Sequence, residues 1–85
     1  MTDKKSFSYP DNAPLKERVL SVISLLEEPT VNEIAAEVVE FQGIASEEGV
    51  AECTVNIEEA LKQLVEAGAV ERYFDNEKVR YKINQ

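Results

Sequence analysis

Side chains able to do chemistry are spread unevenly over the 85 residues, and several of the usual ones are missing. No histidine occurs, so the commonest general base near neutral pH is absent and a zinc site would have to be built from carboxylates alone. The single cysteine, Cys53, has no partner for an intramolecular disulfide. Its charged neighbours Glu52 and Glu58 are both negative, and nothing beside it in sequence lowers a thiol pKa. No glycine-rich phosphate loop and no metal-ligand spacing is present. The expectation is a protein without catalytic, metal or cofactor site, and Cys53 reads as an ordinary small residue just before a helix.

Charge is the more informative feature. From Val19 through Leu61 there is neither Lys nor Arg, while Glu27, Glu28, Glu33, Glu37, Glu40, Glu47, Glu48, Glu52, Glu58 and Glu59 lie in that span. The span carries −10 and the two flanks +1 each, which leaves the net charge of −8. Lys and Arg contacts to phosphates normally supply most non-specific DNA affinity, and carboxylates near the backbone subtract from it. Acid over residues 19–61 therefore disfavours DNA and steers association toward basic protein surfaces. The basic residues gather late in the chain: Arg72, Lys78, Arg80 and Lys82 outnumber Asp75 and Glu77 there. They either reach phosphates or simply solvate the outer face of a sheet edge. Among polar residues able to touch a partner from a helix, Asn56, Glu59, Lys62 and Gln63 stand out, and Asn56 and Gln63 are of the type that reads adenine edges.

These residues need elements to carry them. Pro14 reads as a first-turn proline, and Leu15, Val19, Val22, Ile23 and Leu26 recur at helical spacing until Glu27-Glu28-Pro29, which predicts a first helix over about 14–27. Leu20 and Leu25 widen its apolar stripe to roughly 220°, so this helix is either central to the core or shared with a second copy. Thr30-Val31-Asn32-Glu33 has the form of a capping box opening a second helix, with Val31, Ile34, Ala35, Val38 and, at the margin of the stripe, Phe41 inward and Gly43 as its terminator. Residues 44–53 are a connector that reads equally as loop, as a short extra turn or as more of the second helix. Thr54 can cap a third helix with the stripe Ile57, Leu61, Leu64 and Val65, ended by Gly68. Alternation then predicts a strand over 70–74, a turn at Asp75-Asn76-Glu77 and a strand over 78–83 with Val79, Tyr81 and Ile83 on one face. Residues 1–13 hold no sustained period and read as a flexible arm from which Phe7 and Tyr9 can dock.

The order helix, helix, helix, hairpin, with Thr54-Val55 through Ala60-Leu61-Lys62-Gln63-Leu64-Val65-Glu66-Ala67-Gly68-Ala69-Val70-Glu71-Arg72, resembles the winged helix-turn-helix superfamily over about residues 15–83. The resemblance implies an α+β winged helix: a three-helix core over residues 14–85 followed by a C-terminal β-hairpin wing. That scaffold serves DNA-binding regulators and protein-binding modules alike. Two departures bear on the choice. Some ten residues separate the second and third helices, where a DNA-reading motif uses a turn of about 3–4, and the middle of the chain is acidic. The first reading is thus a protein-interaction or regulatory module, whose partner is a basic protein or peptide or a second copy meeting the first helix. The alternative is a transcriptional regulator placing Asn56, Lys62 and Gln63 against bases and Arg72, Lys78, Arg80 and Lys82 against phosphates. No stretch approaches the ~18 apolar residues of a membrane span, and the expected location is the cytoplasm.

Overall fold

A computed structural model describes residues 8–84. Three helices precede a two-stranded antiparallel sheet: α1 (Leu15–Leu26), α2 (Val31–Gln42), α3 (Glu47–Glu66), β1 (Val70–Asp75) and β2 (Lys78–Ile83), a winged-helix-like α+β topology. Each boundary has a local cause. Pro14 stands at the N-cap of α1, one position before the helix proper, where its missing N–H costs nothing. Thr30 and Glu33 form the reciprocal capping box at the start of α2. Gly43 in the left-handed region (φ 66°) ends α2, with the amides of Gly43 and Ile44 returning to Glu40 and Val39. Gly68 (φ 79°) does the same after α3, where the amides of Gly68 and Ala69 bond to Val65 and Leu64.

The third helix begins earlier than its apolar stripe suggests. Ser46, not Thr54, is the N-cap, its side chain accepting from the Gly49 amide at 3.0 Å. The hydroxyl of Thr54 instead donates to the Val50 carbonyl one turn back, inside the helix. Cys53 accordingly lies within α3 rather than before it, buried among core side chains. The connector expected over 44–53 shrinks to residues 43–46 between α2 and α3. What hid this is composition: Glu47, Glu48, Gly49, Ala51 and Glu52 mask the apolar period, although a serine followed by two glutamates favours a helix start through both cap and dipole.

The core draws on all three helices: Val19, Val22 and Ile23 of α1, Ile34 and Val38 of α2, and Ile57, Leu61 and Leu64 of α3 meet there, with Val70 closing it from the sheet. Leu20 and Leu26 pack against this cluster and Leu25 is buried, so the wide stripe of α1 reflects a central helix. Among the described residues the large apolar side chains left exposed are Val50, Val55 and Phe74, on α3 and β1.

Strand register pairs Val70 with Ile83, Arg72 with Tyr81 and Phe74 with Val79 on one face, and Glu71 with Lys82, Tyr73 with Arg80 and Asp75 with Lys78 on the other. Asn76 and Glu77, both with positive φ, make the two-residue reversal. The sheet is bolted to the α1–α2 corner along its β2 edge, where the Tyr81 amide donates to the Pro29 carbonyl at 2.9 Å.

Candidate interaction surface

On α3 the buried stripe leaves an outward face, and helical periodicity places Glu48, Glu52, Val55, Glu59, Lys62 and Glu66 on or near it, all exposed. The helix as a whole carries six glutamates and one lysine. Its extension back to Glu47 adds three of those glutamates, so the helix is longer and more acidic than the stripe from Ile57 suggests. Val55, 62% exposed, sits in the middle of this acid with Glu52 and Glu59 one turn to either side.

The polar side chains expected to act together are divided. Asn56 borders a recess of about 310 Å³ on the α1–α2 side of α3, with Leu15, Arg18, Gln42 and Cys53. Gln63 donates to Glu59 at 3.4 Å along the helix. Lys62 faces the opposite flank and borders a groove of about 270 Å³ between α3 and the hairpin. Leu61 and Val65 line this groove from the helix, Arg72 and Tyr81 from the sheet, and Glu58 and Glu66 stand with Lys62 at the helical rim. Beyond it along the same hairpin face, Phe74 is 71% exposed beside Val79.

The basic residues of the hairpin have different fates. Arg80 is half-buried: its Nη1 donates to the Glu28 carbonyl at 2.8 Å, and its guanidinium lies 3.7 Å from Glu33 and 3.6 Å from Asp75. The Tyr73 hydroxyl donates to the carboxylate of the same Glu28. Lys82 lies 3.8 Å from Glu71 and 5.4 Å above the centre of the Tyr73 ring. Both cations are thus engaged in holding the hairpin to itself and to the α1–α2 corner. Among the described residues Lys62, Arg72 and Lys78 carry no ion pair. This division was not legible in sequence, because Glu28 and Glu33 are some fifty residues from Arg80 and only the fold brings them together.

The corner that receives the hairpin is itself strained. Glu27 has φ 75° and ψ −75°, and the Glu28 amide bonds back to Leu26 at 3.1 Å, a γ-turn centred on a residue with positive φ. On the other side of α2, Tyr9 stacks on Phe41 with ring centres 4.7 Å apart, and its hydroxyl donates to Gln42 at 2.7 Å. Arg18 donates to the same Gln42 oxygen and to the Ala13 carbonyl. Burial raises the Tyr9 pKa, against the opposing pull of Arg18. Phe7, the second aromatic expected to dock, and the basic pair Lys4 and Lys5 lie outside the described residues.

Burial pushes the Cys53 thiol pKa up and Arg18 only partly offsets it, so at neutral pH the thiol is protonated and a poor nucleophile. Among the described residues no group of three or more His, Cys, Asp or Glu side chains is arranged to hold a metal ion, and no helix is long and apolar enough to cross a membrane. Comparison of the chain with protein-family models, curated proteins and solved structures returned no match.

Proposed function

We propose that the chain is a non-catalytic interaction module of winged-helix type that binds a basic protein or peptide through the outward face of α3. One observation carries the reading: the helix that a DNA-binding member would place in the major groove exposes Glu48, Glu52, Glu59 and Glu66 around Val55, with Lys62 as its one cation. Brought against phosphates, that face repels; brought against lysines and arginines, it attracts over the ~10 Å range of screened electrostatics. The engagement of Arg80 and Lys82 within the hairpin further reduces what the sheet can offer to DNA.

A second reading keeps one observation in its favour. The link over 43–46, containing Gly43, has the length of a helix-turn-helix corner, so the departure in connector length expected from the sequence is removed. On that reading Asn56, Lys62 and Gln63 face bases and Arg72 and Lys78 reach phosphates. The two are separated by backbone amide NMR of the full chain at low salt, titrated in parallel with decalysine and with a random-sequence duplex of ~20 base pairs. The interaction reading expects salt-reversible shifts over Glu48–Glu66 with decalysine and none with the duplex. Shifts on α3 and residues 72–82 with the duplex, and none with decalysine, overturn it.

A further inference from the structure

We infer that the groove between α3 and the hairpin is the seat of a cationic amphipathic helix supplied by a partner protein, an inference that rests on the interaction reading above. The groove has an apolar floor, Leu61 and Val65, and an aromatic wall, Tyr81, and the exposed Phe74 lies two residues beyond Arg72 on the same face of the hairpin. Isolated exposed apolar residues are ordinary on a protein surface; an exposed phenylalanine adjoining an apolar-floored groove is not isolated.

The occupant follows from shape and charge. From Glu58 to Glu66 the helical wall runs eight residues, about 12 Å at 1.5 Å per residue, which matches the two turns over which a docked helix sets anchors at i, i+3 or i+4, and i+7. Both walls offer side chains, from one face of the helix and one face of the sheet. A ligand that pairs with open backbone would instead need a strand edge. On the rim Lys62 stands between Glu58 and Glu66, and with Glu48, Glu52 and Glu59 on the outward face the helical side is acidic in sum, which calls for lysines or arginines on the flank of the partner's apolar stripe that faces α3. Arg72, on the opposite wall and without an ion pair among the described residues, suits the C-terminal carbonyls of that helix and so favours one orientation.

The test uses the full chain and two 14-residue peptides of identical leucine and lysine content. In one the leucines recur at i, i+3, i+4 and i+7; in the other they alternate, so that no helical stripe forms. Amide NMR with the first peptide is expected to show saturable shifts at Leu61, Val65, Arg72, Phe74 and Tyr81. Phe74→Ala, at a side chain too exposed to matter for folding, is expected to weaken that binding about tenfold while leaving the spectrum dispersed. Equal affinity for the alternating peptide, or no effect of Phe74→Ala, overturns the groove while leaving the acidic-surface reading intact. Shifts confined to the recess beside Asn56 and Cys53 also overturn it. A random-sequence duplex that moves the groove amides where neither peptide does overturns both readings.

Discussion

Arg80 tests whether the hairpin's cations serve the fold or a ligand. Replacing it with alanine removes a charge-assisted hydrogen bond to the Glu28 carbonyl and two longer ion pairs, to Glu33 and Asp75. A hydrogen bond from a charged donor contributes about 1.5–3 kcal/mol, and partly exposed ion pairs add about 0–1 kcal/mol each. The Arg80 side chain keeps 28% of its exposure and the Glu33 and Asp75 side chains more than half of theirs, so the lower ends apply and the expected loss is about 1–2 kcal/mol. For a domain of this size that lowers Tm by about 5–15 °C. Thermal unfolding followed by circular dichroism reads this directly, with Lys78→Ala, which breaks no ion pair among the described residues, expected within about 2 °C of the parent. Arg80→Lys should recover part of the loss, because one ammonium cannot reproduce the fork that meets Glu28, Glu33 and Asp75 together. Equal melting temperatures for Arg80→Ala, Lys78→Ala and the parent would refute the docking role and return Arg80 to the set of side chains available to a ligand.

Three further outcomes are expected. Glu27→Gly relieves a positive-φ strain of about 1–3 kcal/mol against a glycine entropy cost of about 0.5–1 kcal/mol, so it should stabilise by about 1 kcal/mol in urea unfolding; destabilisation would mean the γ-turn is not strained. Ser46→Ala should cost about 1 kcal/mol and Thr54→Ala less than about half that, measured the same way, because only Ser46 caps a helix; the reverse order would restore the later start of α3. The raised Cys53 pKa means that an unfolded thiol releases its proton first. Its contribution is complete below the ordinary value of about 8.5 and declines as pH rises past it, so the parent should lose more stability than Cys53→Ala between pH 8 and 10; parallel losses would place the thiol in water.

Periodicity and capping chemistry were enough to read most elements from sequence, since they act within a few residues. The Thr30–Glu33 box, the glycines at 43 and 68 and the alternation through Val79, Tyr81 and Ile83 each mark a boundary or a face by local physics. The start of α3 escaped because its first two turns bury little besides Cys53, and a helix without an apolar stripe has no periodic signal. The candidate surface was legible in part, since helical spacing already puts Asn56, Glu59, Lys62 and Gln63 on the outward side of the third helix. Charge along the chain showed where acid accumulates, but which cations remain available depends on pairs such as Arg80 with Glu28 and Glu33, which are far apart in sequence and adjacent only after the hairpin folds onto the α1–α2 corner. The separation of Asn56 from Lys62 around α3 follows from their six-residue spacing, but what each flank meets, and the joining of Lys62 to Arg72 and Tyr81 across a groove, were decided by tertiary packing, because burial of Leu61 and Leu64 sets the rotation of the helix against the sheet.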